Sequence, residues 1–581
     1  MSRAEIVQND ERVLGSNISF LPETADDTDL QDLTIYKALQ DAANAKPNHV
    51  AFIFHQYQDH VTYRQLLDKA NALAKGFLAL GVKKGSRVCV MGLTDSDWLT
   101  LLFATTSVGL IFNTPYAYEP VEEYIFDILN KIECSVAIVS SWYHVGEQGV
   151  SSEAVLQHFS SANSLGIPSL QHVFRCTQSS NTNLRSLEDL VKMGHAISDA
   201  ELKTAQNAVK CDDPAYIVFS TGTTGSPKAV CVSHFSLVNQ GHFELQRRNP
   251  NNMPFIVAQQ NPCLEDICSL YNSVSAVVNH HVEYTCVFAS SEANKEHTGG
   301  MYLEVIQQYK CTFADLYPFI WLGIWEDDLL KDYNTSALVG GYVGSLGLEK
   351  ETIEKLKTVM PKLTHTYGCC EYVGITYTDP ALPSEDLTSV GSPLPHTTIK
   401  LVDERNNIIQ VGEVGEICVK RKFKTLYWGN ISLTDETIDA DGFFHTGDMG
   451  ELDGNGKLHF KGRKSESIRY KRLGEVIYPK PIETVVLQLD AVNEVKVIGI
   501  TVVDHLGDEI CVCVSLKQNT KLTIKQLEEH CESKLLSRDH PDHYIILESL
   551  PKAGLRKKVA VPLLKDIVVR KIKDGQGDYA K

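Results

Sequence analysis

The sequence predicts an α/β protein with a large N-terminal region of doubly wound sheets, a small β-barrel element and a compact α+β C-terminal domain. Three observations predict it. Short apolar runs alternate with helically patterned stretches up to about residue 400. From about residue 385 the texture changes to short alternating strands separated by turn residues. A charged connector near Arg463 then leads into further strands and a helix, in a chain whose 581 residues exceed what a single core organises.

After an acidic leader, "TIYKALQDAANAKP" and "VTYRQLLDKANALAKGFLALGV" place apolar residues at helical spacing, and Thr62 is positioned to cap the second helix. "SRVCVMGL" reads as a strand, "SDWLTLLFATTSVGLIFN" as a helix and "CSVAIVSS" as the next strand, an order that calls for a parallel sheet. The alternation returns at "PAYIVFS", at "CTFADLYP" with the helical "FIWLGIWEDDLLKDY", and at "SALVGGYVGS" with "EKETIEKLKTVM". The small β element consists of "TTIKLVDE", "GEICVK" and "GKLHFKGR", punctuated by "DERNN", "DADG" and "DGNG". The last domain has strands "VNEVKVIGITVV", "EICVCVSLK" and "HYIILES" with the helix "TIKQLEEHCESKLL". Its boundary falls in the polar connector "KGRKSESIRYKR", giving expected domains 1–462 and 463–581.

Composition narrows the function. With 43% hydrophobic and 22% charged residues the chain has ordinary globular character. Lys plus Arg number 55 against 73 Asp plus Glu, a formal charge of −18, which repels phosphate backbones and anionic lipid and argues against nucleic acid as a partner. An anionic ligand must therefore be held by a local site of a few cations and backbone N–H groups. The 15 cysteines are odd in number and contain no C-x-x-C pair, so neither a disulfide framework nor a zinc site is expected. "MSRAEIVQNDERVLGSN" lacks the apolar core of a signal peptide and is too acidic for a transit peptide, "GDYAK" is no peroxisomal signal, and no run of eighteen apolar residues is present. The expected location is cytoplasmic, without integral membrane association.

The stretch "STGTTGSPK", Ser220 to Lys228, follows the strand "AYIVF". A loop of Gly, Thr and Ser at a strand end can aim backbone N–H groups and hydroxyls at a phosphate chain, and Lys228 adds a point charge. Pro227 stands where a Walker loop requires Gly, so this is a different phosphate loop. Further on, "YGCCE" (Tyr367 to Glu371) ends the strand-like "LTHT", and "FFHTGDMGELDGNGKLHFKGR" holds Asp448 and Arg463. A carboxylate at a strand end can bind Mg²⁺ and through it a triphosphate, while an Asp and an Arg can share a ribose.

Taken together and in order, "STGTTGSPK", "YGCCE", "GEVGEICVK", "FFHTGD", "KGR" and a lysine near the C-terminus resemble the adenylate-forming (AMP-binding) superfamily, over nearly the whole chain. "FSTGTTGSPK", "GDEICVCVSL" and "GEVIYP" look most like its medium-chain fatty acyl-CoA ligase branch. The resemblance implies ATP and Mg²⁺ as cofactors, CoA as co-substrate and a carboxylic acid as substrate. It implies that Lys228 and the hydroxyls of Ser220, Thr221, Thr223 and Thr224, with Gly222 and Gly225, hold the ATP phosphates. Gly344, Ser345 and Leu346 match the adenine segment, Tyr367 the residue that stacks on adenine, and Gly368 and Cys370 lie among the nucleotide-binding positions. Glu371 matches the Mg²⁺ ligand, Asp448 and Arg463 the ribose pair, and Lys557 in "LPKAGLRKKVAVPLLKD" the catalytic lysine. Gly474 matches the glycine of the pantetheine tunnel, and the hinge on which the C-terminal domain turns between half-reactions matches Ser465 or Glu466.

Several positions depart from the family pattern. Cys370 replaces a threonine, Arg556 a glycine before the catalytic lysine and Ala229 a glycine after the first lysine. Glu265 in "NPCLEDICS" replaces a histidine of the acyl-pocket motif, and "RYKRLGEV" is two residues longer than the family's loop. The acyl pocket is expected among positions between about 240 and 345. These departures leave open two other readings: a nucleotide-binding relative that no longer catalyses, and an adenylating enzyme with a non-CoA acceptor.

Overall fold

The computed structural model describes residues 18–23, 29–91, 95–115, 121–139, 142–143, 150–151, 167–176, 184–220, 228–249, 253–259, 267–289, 298–316, 318–344, 350–379, 387–423, 426–470, 475–501, 508–535, 537–553 and 558–573. The chain divides into two compact units: Leu21–Ile399 with Val419–Phe444, and Met1–Phe20 with Lys400–Cys418 and His445–Lys581.

Among the described residues the larger unit carries two long sheets, besides the small pairing of Trp142–Tyr143 with Val150–Ser151. An eight-stranded sheet runs in the order Arg185–Ser186, His172–Arg175, Cys134–Val139, Arg87–Met91, Ile111–Asn113, Pro214–Ser220, Lys228–Ser233, Leu426–Tyr427. Its strands pair in parallel as far as Pro214–Ser220, which then turns back antiparallel to Lys228–Ser233. A nine-stranded sheet has Gly340–Gly344 and Lys362–Tyr367 as parallel neighbours near one end and the hairpin Val50–Phe54 with Asp59–Thr62 at the other. Some of the long crossovers that parallel pairing needs are predicted helices, such as Ser96–Ser107 and Lys350–Val359, while Val121–Lys131 and His234–Arg248 were not foreseen. Thr62 caps Tyr63–Ala79 as foreseen: its hydroxyl accepts from the Gln65 amide at 3.2 Å and the Gln65 side chain answers at 2.9 Å.

Three local readings are corrected. The helix "SDWLTLLFATTSVGLIFN" ends at Ser107, because Gly109 takes φ +74° and closes the C-terminus, and Ile111–Asn113 becomes a strand. The helix "FIWLGIWEDDLLKDY" stops at Glu326 and resumes as a 3₁₀ turn, Leu329–Asp332, after Asp328 adopts φ +52°. The five-residue apolar run "VAFIF", passed over between two helices, is a strand buried on both faces, as a short continuous apolar run can be.

A five-stranded sheet has the order Phe20–Leu21, Thr397–Val402, Val414–Arg421, Phe444–Leu452, Leu458–Arg463. Further along the chain, Val492–Ile500, Glu509–Leu516 and His543–Leu547 form a three-stranded sheet. Its period-2 pattern separates two cores: Ile510, Val512 and Val514 pack with Ile482, Val486 and Leu527, while Cys511 and Cys513 pack with Leu564 and Val568. Cys89, Cys134, Cys511 and Cys513 are buried thiols that serve as small apolar side chains.

Candidate active site

In the larger unit the site grows from the hairpin Pro214–Ser220 and Lys228–Ser233, whose last ladder pair is Ser220 with Lys228. Thr221, Gly222, Thr223, Thr224 and Gly225 lie outside the described residues. Lys228 and Val230 point to the same face of their strand. The edge strand Leu426–Tyr427 pairs Tyr427 with Val230, which sets the tyrosine diagonal to Lys228. The Lys228 ammonium lies 5.4 Å from the centre of the Tyr427 ring, within cation–π range. The Tyr427 hydroxyl donates to Glu371 Oε1 at 2.6 Å. Burial first, and the Glu371 charge second, raise the Tyr427 phenol far above its ordinary value, so the hydroxyl remains a donor.

Glu371 sits in the turn that follows Lys362–Tyr367. Cys369 N donates to Tyr372 O at 3.1 Å and Ile375 N to Tyr367 O at 2.6 Å, folding the chain tightly after the buried Tyr367. Gly368 leaves no room for a Cβ, which would stand 2.5 Å from Gly374 N. Gly374 has φ +61°, and a Cβ there would meet Gln240 Nε2 at 2.4 Å. Both glycines are thus required by close approach. Below the turn the fully buried Arg421 donates to Gly374 O, to Gln240 Oε1 at 2.7 Å and to Thr397 Oγ1 at 2.9 Å. Gln240 Nε2 in turn donates to Glu244 Oε1 at 2.7 Å. Burial lowers the Arg421 guanidinium to about 10, which keeps it charged at neutral pH. Gly344 ends its strand beside Thr366 and so adjoins Tyr367, while Ser345 and Leu346 lie outside the described residues.

The stretch between 240 and 345 contains a buried polar cluster rather than an unbroken apolar lining. Arg248 pairs with Asp315 and donates to Asn272 Oδ1 at 3.2 Å. Asn272 Nδ2 donates to Asp315 Oδ2 at 2.8 Å and to Gln259 Oε1 at 2.6 Å, and the Tyr284 hydroxyl reaches Asn272 Oδ1 at 3.1 Å. The guanidinium is also sandwiched by the rings of Phe255, Phe313 and Tyr342 at 5.3–5.7 Å. Glu265 lies outside the described residues.

In the smaller unit Asp448 and Arg463 are cross-strand partners, with Arg463 Nε 3.0 Å from Asp448 Oδ1. Asp448 is 1% exposed, and its amide donates to Thr446 Oγ1 at 3.1 Å. Glu416 braces the neighbouring turn. It accepts from Gly447 N at 3.2 Å and from Lys464 Nζ at 2.6 Å, and lies 3.3 Å from His445 Nδ1. Burial opposes its charge, yet the bonds from His445 and Lys464 prevail and pull its carboxyl down to about 2. Ser465 and Glu466 are exposed in the single 3₁₀ turn Lys464–Glu466, and Lys496 donates to Glu466 Oε2 at 2.9 Å. Lys552–Ala553 pairs with Lys558–Val559, and Arg556, Lys557 and Gly474 lie outside the described residues.

Glu371 offers one hard, partly exposed carboxylate. Among the described residues no group of three or more His, Cys, Asp or Glu gathers around a metal position. Mg²⁺ is ordinarily held by one or two carboxylates plus substrate phosphates, and the donor set fits that pattern.

Two family models match the chain. The AMP-binding enzyme model covers residues 39–426 and the AMP-binding enzyme C-terminal domain model covers residues 481–557. The chain belongs to the AMP-binding enzyme family. Among the relatives of this family member is the medium-chain acyl-CoA ligase ACSF2, mitochondrial, of Danio rerio, 26% identical over 536 residues, covering 90% of this chain and 86% of the relative. The Homo sapiens protein of that name is 26% identical over 544 residues, covering 90% and 85%. The putative acyl-CoA synthetase YngI of Bacillus subtilis is 24% identical over 536 residues, covering 90% and 95%. The fold matches that of the anthranilate CoA ligase AuaEII in complex with anthranoyl-AMP, with TM-score 0.77, 20% identity and coverage of 94% and 98%. It also matches ATP-bound MatB from Rhodopseudomonas palustris, with TM-score 0.76, 19% identity and coverage of 94% and 100%. The likeness drawn from "STGTTGSPK" and "YGCCE" is thus membership of the AMP-binding enzymes. Tyr427, Arg421 and Gln240 were missed by motif reading. Only the pairing of a two-residue strand against Val230 brings Tyr427 to the site, and no sequence period marks so short a strand.

Proposed function

We propose that this AMP-binding enzyme is an ATP-dependent carboxylate–CoA ligase of a medium-chain fatty acid. The observation that carries the reading is the gathering of Lys228 and Glu371 around Tyr427, at the mouth of the phosphate-loop hairpin of a family member. The substrate carboxylate attacks the α-phosphorus of ATP, the bond from that phosphorus to the bridging oxygen breaks, and pyrophosphate departs. The CoA thiolate then attacks the acyl carbon of the resulting mixed anhydride and AMP leaves. Both partners of the first step are anions, so the site must neutralise charge where water is excluded.

In this reading Lys228 supplies a fixed positive charge to the phosphates, with Ser220, Thr221, Thr223 and Thr224 donating hydroxyls. Gly344, Ser345, Leu346 and Tyr367 take the adenine; Asp448 and Arg463 take the ribose hydroxyls. Glu371 would hold Mg²⁺, which when bound supplies charge neutralisation on the phosphate oxygens. Lys557 is assigned to the adenylation step and Gly474 to CoA, with Ser465 or Glu466 as the pivot of a 463–581 domain. The medium-chain acid comes from the printed names of the ACSF2 relatives. The cytoplasm is the proposed compartment; the relatives named mitochondrial supply the alternative, which fractionation against a mitochondrial marker decides. Among the described residues no helix is long and apolar enough to cross a membrane.

The test is acid-dependent exchange of pyrophosphate into ATP over short, medium, long and aromatic acids, followed by thioester formation with CoA. Exchange with a medium-chain acid and a CoA-dependent thioester are expected. A second reading is favoured by Cys370, which puts a thiol in the Glu371 turn: a nucleotide-binding relative without turnover, for which ATP binds and no acid supports exchange.

A further inference from the structure

Tyr427 touches both charged groups of the proposed phosphate site, and nothing in the motif pattern assigns it a role. Its backbone is pinned on three sides. Its amide donates to Thr434 Oγ1 at 3.1 Å, its carbonyl accepts from Asn430 N at 3.2 Å, and the next amide, Trp428 N, donates to Ala229 O at 2.8 Å. Asn430 in turn caps the helix Ile431–Thr437 through Leu433 N at 2.9 Å. The side chain is 7% exposed, so the ring has a fixed seat.

From that seat the two ends of one aromatic side chain serve opposite charges. The hydroxyl donates to Glu371 Oε1 and the ring face carries the Lys228 ammonium. The hydroxyl donates from the edge of the ring while the ammonium lies over its face, so the two contacts coexist without competing. Occupying one carboxylate oxygen with a fixed donor also orients the other. Carboxylates that ligate metals are commonly held this way by a hydrogen-bonding partner behind them.

We infer that Tyr427 is a positioning residue of the nucleotide–metal site, orienting the Glu371 carboxylate toward a divalent cation through its hydroxyl and seating Lys228 for the phosphates through its ring. The inference rests on the reading of Lys228 and Glu371 as the phosphate and metal groups. It makes the two halves of Tyr427 separable: the hydroxyl acts on the metal, the ring on the nucleotide.

The experiment measures ATP binding to the full chain by titration calorimetry, in EDTA and across a Mg²⁺ series, for the wild type, Tyr427→Phe, Tyr427→Leu, Glu371→Gln and the Tyr427→Phe/Glu371→Gln double variant. Tyr427→Phe is expected to raise the Mg²⁺ concentration at half-effect by about tenfold while leaving ATP binding in EDTA unchanged. Tyr427→Leu should weaken binding in EDTA as well. In the Glu371→Gln background the Phe change should add nothing, since the hydroxyl works through that carboxylate. The result that overturns the inference is an unaltered Mg²⁺ dependence in Tyr427→Phe, or an effect of equal size with Glu371 already removed. If Tyr427→Phe loses its fold by thermal melting, the comparison of Tyr427→Leu with the wild type in EDTA decides, and equal affinities there overturn the role of the ring. Absence of ATP binding by the wild type overturns the site reading itself, a result distinct from normal ATP binding with unchanged Mg²⁺ dependence.

Discussion

Arg463 Nε stands 3.0 Å from Asp448 Oδ1, and the two residues are direct partners across neighbouring antiparallel strands. The pair is asymmetric: the Asp448 side chain is 2% exposed and that of Arg463 41%. Removing Arg463 leaves the buried Asp448 carboxylate with less compensation for its charge. Arg463→Ala is therefore expected to lower the melting temperature while leaving the fold intact, and to raise KM for ATP by about tenfold, the scale of one lost charge-assisted hydrogen bond. Steady-state kinetics at varied ATP checks this, with KM for the acid as the internal control.

Glu416 gives a pH dependence of one sign. Its carboxyl is held at about 2, so its contribution is complete above the ordinary carboxylate range and is lost as pH falls through about 2. A displacement of this size corresponds to about 3 kcal/mol. Glu416→Gln should lower thermal stability at pH 7, and the gap from the wild type should close steadily between pH 5 and pH 2. Calorimetric melting of both proteins across that range is the measurement. Because Glu416 also holds Lys464 at the head of the 3₁₀ turn carrying Ser465 and Glu466, the same variant tests whether that turn depends on it.

Asp95 runs the opposite way. It caps the helix Ser96–Ser107 through Trp98 N at 2.9 Å, and burial pushes its carboxyl up to about 7. A raised carboxyl contributes stability that is present in acid, below the unfolded value, and is lost as pH rises through about 7. Asp95→Asn keeps a good capping oxygen and removes the charge. The variant should match the wild type at pH 4 and exceed it at pH 8 by roughly 4 kcal/mol, read by denaturant unfolding at the two pH values.

Arg248 and Asp315 form the ion pair of the buried polar cluster, with side chains 3% and 6% exposed. Removing one partner strands the other charge, so Asp315→Ala is expected to cost about 3–5 kcal/mol. Replacing both, as Arg248→Met with Asp315→Leu, should cost less than the single change, because no unpaired charge remains. Urea unfolding of the three proteins shows whether the order holds.

Much of the architecture was legible because it is written in local patterns. Thr62 and Gln65 form the capping box that their spacing announces, and the alternation in "EICVCVSL" divides two cores residue by residue. The strand Pro214–Ser220 and the turn bearing Glu371 stand where the motif positions put them. What escaped was either set by one backbone angle or assembled from distant positions. Gly109 and Asp328 each end a helix through positive φ, which apolar periodicity does not register. Arg248 meets Asp315 at a separation of 67 residues, and Arg421 meets Gln240 at 181. Tyr427 reaches Glu371 only because two residues pair at a sheet edge. Long-range polar contacts leave no signal in a single chain, since each partner alone reads as a solvated residue.

Lys228 and Glu371 are proposed as the phosphate and metal groups of an adenylating site. The decisive measurement is pyrophosphate exchange into ATP with a medium-chain acid, compared between the wild type and Lys228→Ala. Acid-dependent exchange is expected in the wild type, with a loss of about 10²–10³-fold in Lys228→Ala, the cost of removing one preorganised stabilising group, and with the folded state intact by melting. Equal exchange in the two proteins, or exchange that proceeds without any acid, would contradict the proposal.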